Sequence, residues 1–309
     1  MTGRPLEILE DLYFIERGYL CANHFALRSP APVLIDTGYK ASWSRTRSLL
    51  EGLGIDLSAV VRIINTHTHC DHIGGNHAVQ SLSGCRIALH PTGKGFMDTR
   101  DARSPWWSYY HQEADFFEAA ETLEDGARVC VGPHEFEIIH TPGHAADGLV
   151  LYNRRERLLI SSDTLWERDI PVMTPQIEGD RSVATMLASL EKISRLAVDQ
   201  VYPGHGLPFG DFPTALRRAQ GRLERYLKEP ARIGWDLVKK IAIYTLMMKA
   251  RIPVGQFFDL LMQTAWYPET VEAYLEGDYH AVFERLVTSL SARGLIRQHQ
   301  DHWVTTVKP

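Results

Sequence analysis

The chain has 309 residues, enough for one large domain or two ordinary ones, because a domain takes about 100 to 200 residues. Its composition, 44% hydrophobic and 23% charged, is typical of a globular protein and excludes a disordered or fibrous chain. The formal net charge of −5 argues against attraction of the whole surface to nucleic acid or anionic membrane, although it leaves room for a local basic patch.

The beginning of the chain shows no cationic segment followed by an unbroken apolar run. No later run reaches the ~18 apolar residues of a membrane span, so we expect a cytoplasmic protein without a membrane anchor. The four cysteines have no CxxC spacing, which favours reduced thiols over a disulfide framework or a thiolate zinc site.

In chain order, the first elements are short strands, expected at 6–16, 19–29 and 32–38 because these runs are apolar or β-branched and bounded by turn residues. A helix at 42–55 precedes a strand at 60–69 that runs straight into a histidine cluster. Alternating elements follow, with helices near 75–82 and at 182–196 and strands at 85–90, 127–131, 136–141, 148–153 and 157–163. This alternation indicates an α/β protein.

From about Pro213 the chain changes to long helical patterns. Three helices and a small hairpin are expected, at 235–250, 255–265, 280–296 and 302–307. The expected organisation is therefore a catalytic domain at 1–228 followed by a small, mostly helical, winged-helix-like domain at 229–309.

The densest chemistry lies in the string HxHxDH, formed by His67, His69, Asp71 and His72 at the end of a strand. Four ligand-capable side chains within six residues are not explained by an amphipathic pattern. Alternate residues of an extended segment project to one side, so His67 and His69 can bind one metal ion. Asp71 and His72 then point to a second ion as the chain turns.

Three later strand ends each present one more candidate ligand. His144 lies in the turn TPGH, Asp163 ends the string ISSD, and His205 lies in PGHG. We expect these strand ends to converge on one edge. Neutral imidazole and carboxylate suit zinc first, and also manganese or iron, whereas soft thiolates are absent from the set.

Taken in this order, HxHxDH, TPGH, the aspartate after an apolar strand and PGHG resemble the metallo-β-lactamase superfamily over roughly residues 6 to 215. The resemblance implies a four-layer αββα sandwich with the site at one edge of its two sheets. It also implies that His67, His69 and His144 hold a first ion, that Asp71, His72 and His205 hold a second, and that Asp163 bridges both. Asp36, in LIDTG, matches a family position that supports the metal loop without being a ligand.

Two ions about 3.5 to 4 Å apart can share a water, lower its pKa toward about 7 and polarise a carbonyl or phosphoryl oxygen. We therefore expect hydrolysis by metal-bound hydroxide, with Asp71 as the catalytic acid or base. Asp163 stands near the position where the antibiotic-hydrolysing members have Cys or Ser, which disfavours a β-lactamase. The glyoxalase II, thioesterase, lactonase and nuclease branches remain, and a thioester or related acyl ester of a small molecule is the preferred substrate.

The aromatic stretch 104–112 predicts either the wall or lid of an apolar pocket or a loop whose rings cover the sheet. A phosphodiesterase or endoribonuclease is the alternative enzyme, and would need a basic track beside the metals. A regulatory or binding protein that retains the metal site is the alternative from another class. Nucleic acid is not expected as a partner, because the helix at 280–296 offers few cations beyond Arg285 and Arg293. A pocket wall or a homodimer contact is the expected role of the C-terminal domain.

Overall fold

The computed structural model describes residues 5–308, so residues 1–4 and 309, at the outer ends of the two predicted domains, lie outside the described part. The described chain forms two mixed β-sheets with helices on their outer faces, and a further helical segment with a small sheet of its own. This is the α/β sandwich that the sequence predicts. All four cysteines are free thiols.

The first sheet contains seven strands paired in chain order. Its strands are β1 (Leu6–Leu9), β2 (Leu12–Ile15), β3 (His24–Leu27), β4 (Val33–Ile35), β5 (Arg62–Ile64), β6 (Arg86–Leu89) and β7 (Glu121–Thr122). Pairing is antiparallel from β1 to β4 and parallel from β4 to β7. The single strand expected at 6–16 is wrong: the chain turns at Asp11, whose φ of 58° ends one strand and starts the next.

The second sheet has five strands in the order β12-β11-β10-β9-β8. They are β8 (Arg128–Val131), β9 (His134–His140), β10 (Leu149–Asn153), β11 (Leu158–Ser162) and β12 (Gln200–Pro203). Neighbours are antiparallel except for the parallel pair β11 and β12. The inner faces of the two sheets share one buried core, in which the ring of Phe14 lies 5.4 Å from that of Tyr202.

Helices cover the outer faces of the sandwich. They are α1 (Trp43–Gly52), α2 (Cys70–Ile73), α3 (Asn76–Ser83), α4 (Pro91–Asp98), α5 (Pro175–Glu178), α6 (Ser182–Ser194) and α7 (Phe212–Lys228), with 3₁₀ turns at Lys40–Ser42 and Leu57–Ala59. The apolar faces of α6 and α7 join the outer face of the second sheet in a separate core. Layers of helix, sheet, sheet and helix therefore follow one another.

The C-terminal segment contains four α-helices rather than the expected three. These are α8 (Ala231–Lys249), α9 (Phe257–Met262), α10 (Trp266–Tyr274) and α11 (Tyr279–Ala292), with a 3₁₀ turn at Val254–Gln256 and strands β13 (Ile252–Pro253), β14 (Ile296–His299) and β15 (His302–Thr305). A separate helix α10 fits Pro268, which lacks an amide N–H and is tolerated only in a first turn. The three strands form a sheet in the order β13-β15-β14.

One apolar core joins α8 to the first sheet and its helices, with Leu237 and Ile241 in the same cluster as Ile15 and Ile63. Helix α7 ends at Lys228 and α8 begins three residues later, close to the predicted boundary. The division at 228/229 and the winged-helix assignment stay predictions. None of the helices within 5–308 is both long and apolar enough to cross a membrane.

Candidate metal centre

The structure brings the seven predicted metal ligands together. Three overlapping trios have their ligand atoms within 4.8 Å of one another, namely His67, His69 and His144; His67, His72 and Asp163; and Asp71, His72 and His205. The contributing segments follow the ends of β5, β9, β11 and β12, so four separate parts of the chain meet at one place.

Asp163 lies between the two groups of ligands that the sequence predicts for separate ions. Its Oδ2 lies 3.4 Å from His144 Nε2 and 3.7 Å from His205 Nε2, while Oδ1 lies 3.7 Å from His72 Nε2. One carboxylate therefore presents oxygen atoms to both groups, which is the geometry that a bridging ligand needs.

The two groups are each internally close. His67 Nε2 lies 3.0 Å from His69 Nδ1, and His205 Nε2 lies 3.1 Å from Asp71 Oδ2. The side chain of Asp71 is 15% exposed, whereas those of His72, His205 and Asp163 are at most 7% exposed. Asp71 is therefore the most accessible of these four candidate ligands.

Three of the imidazoles are oriented through their Nδ1 atoms. Nδ1 of His144 donates to the Val172 carbonyl at 2.7 Å, and Nδ1 of His205 lies 3.2 Å from the Gly18 carbonyl. Nδ1 of His72 lies 2.8 Å from a carboxylate oxygen of Asp36. When Nδ1–H of a neutral ring donates a hydrogen bond to a carbonyl or carboxylate oxygen, Nε2 keeps a lone pair that can bind a cation.

The buried, unpartnered ring nitrogens test whether these residues fit a metal ion. Nε2 of His69, His72 and His144 are buried and have no hydrogen-bond partner among the described residues. Buried polar atoms in native proteins nearly always have a partner. A divalent cation bound by imidazole and carboxylate satisfies these atoms, so the residues fit the ions that the sequence predicts.

The electrostatic environment differs between the two groups. Burial, together with neighbouring imidazoles, holds the pKa of His67 and His69 well below the usual value, so both are neutral. Burial also acts to lower the pKa of His72, but Asp71, Asp36 and Asp163 outweigh it and raise that pKa well above its usual value. The carboxylates around the second group therefore favour a positive charge there, either a proton or a bound cation.

Glycines let the site segments approach one another closely. A Cβ on Gly74 would lie 2.0 Å from the Lys40 amide nitrogen, and one on Gly204 would lie 2.0 Å from Asp163 Oδ1. Gly74 has a φ of −60°, so close packing, and not a left-handed backbone, requires glycine there. Left-handed φ angles occur instead at Asp36 (57°) and Ser162 (46°), where neighbouring contacts hold the strained backbone.

The family model for the metallo-beta-lactamase superfamily matches residues 31–205, more than half of the chain. The chain belongs to the metallo-β-lactamase superfamily. The matched region contains all seven predicted ligands.

Curated relatives of this superfamily member carry several names. It is 25% identical over 211 residues to the acyl-coenzyme A thioesterase MBLAC2 of Bos taurus, an alignment that covers 61% of this chain and 74% of the relative. It is 28% identical to the hydroxyacylglutathione hydrolase of Francisella tularensis subsp. novicida, over 50% of this chain and 52% of the relative. A Caenorhabditis elegans beta-lactamase-like protein 2 homolog is 28% identical, with 56% of this chain and 52% of the relative covered. The chain thus spans about half the length of two of these three relatives.

Solved structures show the same fold. A metallo-beta-lactamase family protein from Thermus thermophilus superposes with a TM-score of 0.62 at 18% identity, covering 97% of this chain and 100% of that one. The C-terminal helices therefore have counterparts in that structure. A subclass B3 metallo-beta-lactamase of Bradyrhizobium japonicum superposes with a TM-score of 0.59 at 17% identity, covering 76% of this chain and 97% of that one.

Within this superfamily fold, aromatic rings line a small cavity at the candidate metal centre. The cavity measures about 30 Å³, which holds roughly one or two waters. Its lining residues, apart from four of the predicted ligands, are Tyr19, Trp106, Gln112, Trp166, Val172, Ile241 and Tyr244. The space at the centre is therefore narrow, and its walls are mostly apolar.

Trp106 decides between the two interpretations of the aromatic stretch. Its ring centroid lies 3.9 Å from that of His69, and its indole N–H donates to Glu178 at 2.8 Å. Trp106 thus lines the site, whereas Tyr110 packs 6.2 Å from the ring of Trp266 in the C-terminal segment. The stretch contributes one pocket wall, and its other rings are ordinary core.

Sequence reasoning missed Tyr19, Trp166, Glu178 and Tyr244 as site residues. Tyr19 and Tyr244 stack with centroids 5.1 Å apart, and the ring of Trp166 lies 5.1 Å from that of His205. Each comes from a different segment and has no motif, so nothing in a single stretch of sequence marks it. Only the folded chain brings them together.

Proposed function

We propose that this protein hydrolyses thioesters of a small-molecule acyl group, using two divalent metal ions, with zinc as the first choice. The arrangement of Asp163 between the two ligand groups, inside an apolar cavity, carries the proposal. Two curated relatives support the bond type, since acyl-coenzyme A and hydroxyacylglutathione are both thioesters. The cytoplasmic location and the homodimer contact stay predictions.

In this proposal the first ion is held by His67, His69 and His144, and the second by Asp71, His72 and His205, with Asp163 shared. When bound, such ions supply Lewis acidity and lower the pKa of water. The residues of the chain orient the ligands, exclude bulk water and present an acyl-binding wall.

Asp71 is proposed to move the proton. Hydrolysis forms a bond between a water oxygen and the carbonyl carbon and breaks the carbon–sulfur bond, so the departing thiolate needs a proton that the water gives up. Asp71 is the most accessible of the three carboxylates that face His72, and it lines the cavity. A carboxylate in this position can accept that proton and deliver it to sulfur.

The aromatic wall of the cavity limits the space that is available to the acyl group of a substrate. The cavity of about 30 Å³ is too small for an acyl chain, so substrate entry requires the ring of Trp106 or a neighbouring side chain to move. Such a movement would open an apolar surface formed by Ile241 and Tyr244 of α8. Fatty or aromatic acyl groups suit that surface better than small polar ones.

A hydrolysis screen tests the proposal. Metal-quantified protein is assayed against acyl-coenzyme A thioesters, S-lactoylglutathione, aryl esters, lactones, bis-p-nitrophenyl phosphate and short single-stranded RNA. Thioester turnover that chelation removes and added zinc restores supports the proposal. Metal-dependent cleavage restricted to the phosphodiester or RNA contradicts it and favours the nuclease branch.

A further inference from the structure

A basic cavity lies outside the metal centre, where α7, α8 and α11 meet. It measures about 440 Å³, within the size range of small-molecule sites. Its lining consists of Arg222, Arg225, Tyr226, Arg232, Trp235, Asp236, Lys239, Arg285 and Arg293. Six cationic side chains and one carboxylate thus face one cavity, in a chain whose net charge is −5.

Part of this charge is neutralised inside the protein. Arg222 forms ion pairs with Asp169 and Asp236, and Lys240 Nζ lies 2.9 Å from an oxygen of Asp236. Asp236, the single carboxylate of the lining, is therefore already paired with Arg222 and Lys240. Arg232 is paired with the exposed Glu229 at 2.8 Å.

Four cations of the cavity lack an anionic partner in the described part of the chain. Within residues 5–308, Arg225, Lys239, Arg285 and Arg293 form no ion pair with a carboxylate. The pKa of Lys239 is lowered, first by burial and then by the positive charge of Arg293. The cavity is therefore a concentration of uncompensated positive charge, which favours a multiply charged anion.

The basic cavity adjoins a second cavity that lies nearer the metal centre. A second cavity of about 360 Å³ shares Arg222, Asp236, Lys239 and Arg293 with it. This second cavity also includes Tyr19, which lines the cavity at the metal centre. Three cavities with shared lining residues therefore lie in a row between the uncompensated cations and the candidate ligands.

Helix α8 runs beside all three cavities. Trp235 and Lys239 line the basic one, Lys240 lines the middle one, and Tyr244 lines the metal centre. At about 1.5 Å per residue, the nine steps from Trp235 to Tyr244 span roughly 13 Å along the helix. A ligand that reaches both ends therefore needs a linker of at least about that length between its anionic and its reactive parts.

We infer that the basic cavity binds the phosphates of a nucleotide-bearing thiol, so that the preferred substrate is an acyl-coenzyme A. This inference rests on the proposed thioester hydrolysis. Coenzyme A joins a 3′-phosphate and a diphosphate to its sulfur through a long, flexible arm, which matches the separation of cations and metal centre. Arginine binds phosphate through paired N–H donors, and three of the four uncompensated cations are arginines.

Single-stranded RNA fits the cavity less well. Sequence-tolerant binding of single strands relies on exposed aromatic rings on which bases stack. The one tryptophan of the cavity is already covered, because the guanidinium of Arg285 lies 4.3 Å from the ring centroid of Trp235 and Lys239 Nζ lies 5.7 Å from it. The cavity thus offers charge without a free stacking surface.

The test compares two thioesters of the same acyl group, one on coenzyme A and one on N-acetylcysteamine, which lacks the phosphates. The double variant Arg285→Gln/Arg293→Gln removes two uncompensated cations, and Arg155→Gln, whose side chain is 92% exposed, is the matched control. We expect the double variant to raise KM for the coenzyme A thioester by about tenfold, with kcat unchanged. KM for the N-acetylcysteamine thioester stays at the wild-type value.

Calorimetry with adenosine 3′,5′-bisphosphate gives a readout that does not depend on turnover. Wild-type protein and the Arg155→Gln control bind it, whereas the double variant binds about tenfold more weakly or not at all. If neither thioester is hydrolysed, the proposed function fails, while this binding still reports on the cavity. Equal binding to wild type and double variant overturns the inference.

Two further outcomes also overturn the inference that the basic cavity binds the phosphates of coenzyme A. One is an equal rise in KM for both thioesters, which indicates a general disturbance of the site. The other is metal-dependent cleavage of single-stranded RNA that the double variant loses while acyl-coenzyme A turnover persists, which assigns the cavity to nucleic acid.

Discussion

His72 Nδ1 lies 2.8 Å from Asp36 Oδ2, and both side chains are buried. The same carboxylate accepts hydrogen bonds from the Thr66 amide at 2.9 Å and from the Thr66 hydroxyl at 2.7 Å. Asp36 therefore orients an imidazole of the candidate metal centre and fixes the backbone one residue before His67. These contacts are of the supporting kind that the sequence resemblance implies for Asp36.

Asp36→Asn is expected to weaken metal binding by about 10- to 100-fold, the usual effect of removing a partner of a metal-binding histidine. The amide is isosteric, but its NH₂ group facing His72 Nδ1 would move the imidazole proton to Nε2, the atom that faces Asp71 and Asp163. Metal content after dialysis against graded chelator measures the loss. Wild-type affinity in this variant would show that Asp36 has no role in orienting His72.

Asp71 is best tested by two substitutions that separate its proposed tasks. Asp71→Asn keeps an oxygen that can bind the ion but cannot carry a proton, so kcat should fall by about 10²- to 10⁴-fold with metal content retained. Asp71→Ala should lose both turnover and part of the metal. Asp98→Ala, at a side chain 53% exposed on α4, is the control and should keep full activity. Full turnover in Asp71→Asn would exclude the proposed proton transfer.

The candidate ligands were predictable because most of them lie in short sequence motifs. HxHxDH, TPGH and PGHG each place their first histidine within four residues of the end of a strand, and the folded chain brings these motifs together with Asp163. Strand lengths were less predictable: the strand expected at 60–69 is only Arg62–Ile64, because the chain leaves the sheet before its histidines. The spacing of apolar residues alone does not show where the hydrogen bonding between neighbouring strands ends.

The basic cavity was not predictable from any one segment. Arg225 lies on α7, Lys239 on α8, and Arg285 and Arg293 at α11 and its end. Helices α7 and α8 are each rich in cations, but neither sequence shows that these cations meet those of α11 in one cavity. The low density of cations in 280–296 predicts little affinity for nucleic acid. Tertiary packing of three helices, and not the sequence of one, produces the local concentration of charge.

Gly204→Ala is expected to disrupt the metal centre without unfolding the protein. The added Cβ would lie 2.0 Å from Asp163 Oδ1, so the carboxylate between the two ligand groups must move. Metal content and thioester turnover should both fall by at least about tenfold, while the far-ultraviolet circular dichroism stays the same.

Gly95→Ala provides the matched control for that change. A Cβ on Gly95, within α4, meets no atom within 4 Å. Alanine is the better helix former, so this variant should keep its metal and gain about 0.5 to 1 kcal/mol of stability. Equal metal content in the two variants would contradict the tight fit between Gly204 and Asp163.

Glu178 gives the stability of the protein a specific dependence on pH. Burial, assisted by the neighbouring charge of Asp147 and opposed by the hydrogen bond from Trp106, raises the pKa of Glu178 from 4.5 to about 8. Between these two values the folded protein holds a proton that the unfolded chain has released. The contribution of Glu178 to stability is therefore complete below about pH 4.5 and is lost as pH rises through about 8.

Glu178→Gln should remove this dependence, because glutamine does not titrate yet still offers an oxygen to the Trp106 indole. Relative to wild type, the variant should gain about 2 to 4 kcal/mol of unfolding free energy between pH 5 and about pH 8.5. Urea unfolding of both proteins at the two pH values measures the difference, with Glu191→Gln, a side chain 59% exposed, as control. A difference between variant and wild type that is the same at both pH values would show that Glu178 is ionised throughout, because only a carboxyl that changes its proton between them can shift that difference.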